Sequence, residues 1–257
     1  MPGRSALTIV DDSATKPSPM PRSIPIRDRL IVALDVGSVA EANQVVDALG
    51  DTVNFYKVGL GLHYRGGIDL AKALKLQGKK VFLDSKIYDV EATTKAAVES
   101  IVALGVDFCT IHGNTSILKE AVAGRGNSNL KLFAITVLTS LDDRDLHEMG
   151  YTVSVEKMVD YKTKSAIAAG CDGVITSGLE ARMIREIADE NGSGLLIVTP
   201  GIRSAGVSRD DQKRVATPES AIEAGADYIV MGRQILRAKN PHDEARRVLD
   251  TIEGALR

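Results

Sequence analysis

The chain has no tryptophan, and its aromatic residues make up only 4% of 257 positions. That composition argues against a base-stacking platform for nucleic acid. There is little net charge: 32 basic against 34 acidic side chains leave −2, so no general attraction to nucleic acid or an anionic membrane is expected. Cysteines number two, Cys109 and Cys171. They form no close pair at metal-ligand spacing and imply no disulfide framework, so a reducing, cytoplasmic setting is expected. No apolar run approaches the roughly 18–20 residues of a membrane-spanning helix. Proline is scarce beyond residue 27, because Pro2, Pro17, Pro19, Pro21 and Pro25 are five of the eight. Residues 1–27 show no apolar periodicity and read as an irregular, flexible or loosely packed extension outside the domain. They lack the apolar core of a secretory signal, and Asp11 and Asp12 fit a transit peptide poorly; Met20 is an alternative start.

What is present is a rhythm. From Arg29 onward apolar strand-like runs alternate with helix-like runs: RLIVALD, NFYKVG, KKVFLD, VDFCTIHG, KLFAITVLTS, DGVITS, GLLIVTPGI and DYIVMG are the strand signals. Continuous apolar strands of this kind belong to a parallel sheet covered by helices. The pattern Gly-x-Asp recurs in ALGVDF, AAGCDG and EAGADY, preceded by Ala-x in the first two and by Glu-Ala in the third, each where a helix ends and a strand begins, and its glycine suits a left-handed helix terminus. Eight strand signals in about 250 residues predict a single-domain (β/α)8 TIM barrel over residues 28–257. The alternative is an open flavodoxin-like or Rossmann sheet, whose dinucleotide version is weakened because no G-x-G-x-x-G follows the first strand.

The most informative stretch is VFLDSKIYDV, Val81–Val90. Strand alternation puts Asp84 and Lys86 on one face, about 7 Å apart, close enough to touch one small ligand. Asp89 is placed to cap the helix-like run that follows. In a barrel the active site lies at the C-terminal ends of the strands. There the sequence offers Asp35, Lys57, Asp84 with Lys86, His112, Thr139 with Ser140, Thr176 with Ser177, Thr199–Arg203, and Gly232 with Arg233. Each has an ordinary use as well: a turn residue, a solvated strand end, a helix cap, or, for His112, a pocket-wall histidine without a second ligand nearby. Their convergence on one rim carries the argument. The last two strands run into TPGIR and GRQIL, the usual place of a barrel phosphate site, with Arg203 as a planar fork for phosphate oxygens. The long polar piece SAGVSRDDQKRVATP between them is a candidate lid.

These motifs resemble the bacterial orotidine 5'-phosphate decarboxylases. The likeness runs from about Leu30 to about Arg237: ALD (33–35), YKVG (56–59), D-x-K-x-x-D (84–89), LTS (138–140), TPGIR (199–203), DDQ (210–212) and MGR (231–233) occur in the family's order. D-x-K-x-x-D is shared with the wider suprafamily. Lys57 discriminates, because the magnesium-dependent relatives carry a metal-binding glutamate at about that place.

The resemblance implies a metal- and cofactor-free decarboxylation of orotidine 5'-phosphate to UMP by a homodimer with shared sites. It implies that Asp35 and Lys57 contact the ribose side, Asp84 faces the substrate carboxylate, and Lys86 protonates C6. Asp89 and Thr93 would enter the neighbouring subunit's site, and Lys57, Asp84, Lys86 and Asp89 form the catalytic set. Ser140 would read the pyrimidine edge with Thr139 beside it. Gln212 would link lid and phosphate, and Pro200, Arg203, Gly232 and Arg233 would complete the phosphate side. One departure stands out: where the family commonly has Asp-Ile-Pro-Asn-Thr, this chain has Asp89-Val90-Glu91-Ala92-Thr93. The readings kept beside this one are a magnesium-dependent sugar-phosphate decarboxylase or aldolase, and a non-catalytic nucleotide-binding barrel.

Overall fold

The computed structural model describes residues 23–204 and 214–257. Eight parallel strands close into a barrel in sequence order. They are β1 (Leu30–Ala33), β2 (Phe55–Gly59), β3 (Lys80–Ile87), β4 (Phe108–Ile111), β5 (Lys131–Ile135), β6 (Gly173–Ile175), β7 (Leu196–Thr199) and β8 (Tyr228–Met231). Closure is made by β1 on β8, with Ile31 opposite Val230. All eight strand signals in the sequence correspond to these strands.

The few aromatics are concentrated where the barrel needs volume. All four phenylalanines, Phe55, Phe82, Phe108 and Phe133, lie in the barrel interior with Tyr228, and most of their contacts are edge-on or tilted. Such ring pairs add directional attraction to the area they bury. Gly173 on β6 makes room for them, because a Cβ there would collide with the Phe133 ring. A second, larger apolar layer lies between the strands and the surrounding helices.

The Gly-x-Asp repeat has a structural meaning at the N-terminal face. Its glycines, Gly105, Gly170 and Gly225, have φ of 69°, 80° and 99°, a region that favours a residue without Cβ. Its aspartates each brace the preceding strand. Asp107 accepts from Val81 N at 2.7 Å, Asp172 from Leu132 N at 2.9 Å, and Asp227 from Ile197 N at 2.9 Å. Each also pairs with a cation from the helix before that strand: Lys75, Arg125 and Arg185 respectively.

The expected helix cap at Asp89 is corrected, and two further local features stand out. The charged piece DDRDLHEMG is helical over Asp143–Glu148, because Asp142 and Asp145 form a reciprocal capping box. The helix after β3 starts at Glu91 with Val90 at its N-cap and no side-chain cap; the Asp89 carboxylate instead accepts from Val90 N at 2.7 Å. The run between β2 and Gln77 is interrupted by a π-turn, His63–Gly67, with Arg65 and Gly66 outside helical geometry. Ahead of β1, Ile24 packs against the barrel interior and Ile26–Arg29 forms a short helix. The candidate lid falls largely on residues 205–213, and Gln212 with it, outside the described residues.

Candidate active site

Four charged side chains alternate in sign across the ends of β1, β2 and β3. Lys57 Nζ is 3.1 Å from Asp35 Oδ1 and 3.3 Å from Asp84 Oδ2. Lys86 Nζ is 2.7 Å from the same Asp84 Oδ2. The other Asp84 oxygen accepts from Thr110 Oγ1 at 2.9 Å, and Thr110 Oγ1 in turn accepts from Lys86 N at 2.9 Å. Burial penalises charge on both inner members, yet the neighbours win. Burial alone would lower the Lys57 pKa, but Asp84 and Asp35 raise it above the usual lysine value. Burial alone would raise the Asp84 pKa, but Lys57 and Lys86 hold it below the usual carboxylate value. Asp84 is therefore an anion with two cations on it.

Local backbone makes this possible. At Gly59 a Cβ would lie 2.9 Å from Asp35 Oδ1 and 3.0 Å from Lys57 Nζ, so the glycine of YKVG keeps the pair intact. On β3 the alternation argument brings Asp84 and Lys86 together, but not on an extended strand. Pairing with β4 is irregular between Leu83 and Ile87, and Lys86 has φ of 48°, the sole non-glycine positive φ among the described residues. Such a conformation is costly for a lysine and collects at functional sites.

This row forms one wall of a cavity of about 490 Å³ at the C-terminal end of the barrel. Phe82, Ile135, Ile175 and Val230 supply its apolar floor. The rest of the lining includes Thr139 and Ser140 after β5, Pro200 and Arg203 after β7, and Gly232 and Arg233 after β8, with Gly232 beside Asp35. Thr139 and Arg203 are buried. Gly201 has φ of 75°, so the glycine of TPGIR permits the turn that brings Arg203 in. Thr176 lines the same cavity, whereas Ser177 caps its own loop by accepting from Leu179 N.

Not every candidate converges. Asp89 and Thr93 do not line the cavity of their own chain, and Asp89 is exposed. His112 does not line the cavity either; its ring centroid is 6.2 Å from that of Tyr88. Burial, with help from Lys162 and Lys86, pushes its pKa down to about 4. Among the described residues no group of three or more His, Cys, Asp and Glu side chains is arranged for a metal ion. Thr110 was missed, although alternation from the inward Phe108 points it into the barrel. Arg237, at the cavity edge, and Arg214 were missed as well, and nothing in their local sequence singles them out.

The comparisons agree with this geometry. The model of the orotidine 5'-phosphate decarboxylase / HUMPS family matches residues 28–248. The chain belongs to this family. Orotidine 5'-phosphate decarboxylase of Nitrobacter winogradskyi is 49% identical over 231 residues, covering 90% of this chain and 95% of that protein. The enzyme of the same name from Methylobacterium nodulans is 45% identical and is covered completely. Among solved structures, orotidine 5'-phosphate decarboxylase from Lactobacillus acidophilus superimposes with a TM-score of 0.76 at 36% identity, covering 88% of this chain and 99% of that one. The family match begins at Asp28, immediately after the proline-rich extension, and spans every strand and every rim residue described above.

Proposed function

We propose that this chain decarboxylates orotidine 5'-phosphate to UMP, the last step of de novo pyrimidine nucleotide synthesis, without metal or cofactor. The observation that carries the proposal is the alternating row Asp35–Lys57–Asp84–Lys86 in an apolar-floored cavity that Arg203 and Arg233 also line. Names and coverage of the relatives support the same substrate.

Loss of CO2 from C6 leaves a carbanion with little delocalisation, and no side chain of this cavity is an electron sink. The chemistry is therefore electrostatic. An ammonium about 4 Å from the developing anion supplies about 4 kcal/mol at an effective dielectric of 20, roughly three orders of magnitude in rate. Lys86 serves as that cation and as the proton donor to C6. Asp84 faces the departing carboxylate and holds Lys86 Nζ in place at 2.7 Å. The rest of the acceleration comes from binding energy at phosphate and ribose. Phosphate falls to Arg203, Gly232 and Arg233, with Pro200 beside them; the pyrimidine edge falls to Thr139 and Ser140; the ribose falls to Asp35 and Lys57.

The magnesium-dependent reading fares worse on this geometry. The space between the Asp35 and Asp84 carboxylates, where a divalent cation would sit, is taken by the Lys57 ammonium. We further propose a cytoplasmic homodimer in which Asp89 and Thr93 complete the partner's site, with residues 28–257 as the catalytic domain. Support comes from Asp89 lying outside its own cavity, flanked by Tyr88 and Val90 at 71% and 68% exposure. The deciding test is the change in pyrimidine absorbance when the pure protein meets orotidine 5'-phosphate with EDTA present. A steady decline confirms turnover without metal; no change, or activity only after adding magnesium, refutes it.

A further inference from the structure

Arg214 does not line the cavity, yet it joins the loops after β5, β6 and β7, each of which does. Its guanidinium donates to Val137 O at 2.9 Å and Leu138 O at 3.0 Å, and pairs with Glu180 Oε1 at 2.7 Å. Its backbone N–H reaches Thr139 O at 3.3 Å. The Arg214 and Glu180 side chains are 10% and 11% exposed. Two residues on, Ala216 is bound back to the segment after β7. Ile202 and Ala216 form an isolated parallel bridge, Arg203 N donates to Ala216 O at 3.0 Å, and Ala216 N donates to Gly201 O at 3.4 Å. The loop after β6 closes on the same point, since a Cβ on Gly178 would lie 2.5 Å from the Ala216 Cβ.

We propose that Arg214 is a positioning residue that couples the phosphate side of the cavity, at Arg203, to the pyrimidine side, at Thr139 and Ser140. The inference rests on the function proposed above. Its path is short: Arg203 N hydrogen-bonds Ala216 O, Ala216 leads along the chain to Arg214, and Arg214 hydrogen-bonds the carbonyls of residues 137–139. Arginine suits the task because its planar fork holds a carboxylate and two carbonyls at once, which a lysine ammonium on a flexible stem does not. The pairing is also poorly arranged for stability alone. Arg214 Nε and Glu180 Oε2 are buried without a hydrogen-bond partner among the described residues. A buried ion pair with unsatisfied members contributes little to folding, so geometry is its more natural use. The consequence for catalysis is that phosphate held at Arg203 fixes the loop that reads the pyrimidine edge. Binding energy from a remote part of the substrate is thereby realised at the reacting ring.

The test uses full-length wild type, Arg214→Ala and Arg214→Lys, each assayed with orotidine 5'-phosphate and with orotidine lacking the phosphate. Melting curves on each variant confirm folding. A coupling role predicts that both substitutions lower kcat/KM for the phosphorylated substrate by about 100-fold, the usual cost of misplacement by about an ångström. For orotidine the loss should stay below about threefold, because no phosphate is there to couple. Introduced into an Arg203→Ala background, either substitution should likewise cost less than about threefold, the non-additivity expected of groups acting in one unit. Equal losses for the two substrates, or no loss for either, overturn the proposal. Should Arg214→Ala fail to fold, Arg214→Lys gives the same comparison. A wild-type protein inactive on orotidine 5'-phosphate overturns the proposed function instead, so the two failures are distinguishable.

Discussion

Lys86 Nζ lies 2.7 Å from Asp84 Oδ2, and it gets there on a backbone with φ of 48°. An extended lysine would keep the strand regular. The left-handed turn instead breaks pairing with β4 and lets Lys86 N donate to Thr110 Oγ1, the hydroxyl that donates to Asp84. Backbone strain, ion pair and hydroxyl relay are one arrangement, and it holds the ammonium over the cavity floor.

Two outcomes follow for Lys86. Lys86→Ala removes the proton donor and the nearest cation, so kcat should fall by far more than tenfold; a variant keeping over about a tenth of wild-type turnover, a barrier rise below about 1.4 kcal/mol, contradicts the assignment. Lys86→Gly should be equally inactive but more stable than Lys86→Ala by about 1 kcal/mol, since glycine relieves the left-handed strain. Chemical denaturation of the pair of variants measures the difference.

Asp84, Lys86, Lys57 and Arg203 were legible as rim candidates in the sequence because each lies toward or just beyond the C-terminal end of an apolar strand, and barrel topology sends all those ends to one rim. The residues that escaped do so for reasons of distance. Thr110 and Asp84 are 26 positions apart, and Arg214 and Val137 are 77 apart, so their partnership exists only after closure. Asp172 is a partial case. Its recurrence in AAGCDG is visible in the chain, and the glycine two residues before it reads as a helix terminus. That its carboxylate receives the N–H of Leu132 could not be read from spacing.

Asp172→Ala should therefore act on stability and not on chemistry. It leaves Leu132 N and the Arg125 guanidinium without the acceptor they share, on the face of the barrel away from the cavity. A loss of about 2–3 kcal/mol is expected from the unsatisfied groups, with kcat unchanged. Urea unfolding and steady-state kinetics check the two halves separately.

His112 should make stability depend on pH. Its folded pKa, about 4, lies below the ordinary histidine value of 6.5, because burial, Lys162 and Lys86 oppose its charge while Asp84 only partly favours it. The unfolded chain then takes up a proton before the folded one does. The contribution of neutral His112 is fully present above pH 6.5 and is lost as pH falls toward 4. Unfolding free energies measured across that window should decline less steeply for His112→Asn than for wild type. Identical slopes would show that His112 titrates alike in both states.

The last prediction concerns Asp89. Its side chain is exposed, hydrogen-bonds its own Val90 N, and stays out of its own cavity, so within one barrel it has no route to the substrate. As a surface carboxylate near a helix start it contributes about 1 kcal/mol at most to folding. If it completes a partner's site, Asp89→Ala should be nearly inactive although properly folded. A two-fold dimer would then repeat the same contact twice, each chain giving one Asp89 and receiving one. Mixing Asp89→Ala with Lys86→Ala chains separates the readings. Each parent homodimer is inactive at both sites. In a hybrid, one site collects both lesions, while the other draws intact Lys86 from one chain and intact Asp89 from the other, so half of the sites in each hybrid regain activity. Recovery on mixing, tracked against the hybrid fraction measured by native mass spectrometry, is the expected result. Hybrids that form yet show no activity would confine Asp89 to its own chain and leave the shared-site arrangement without support.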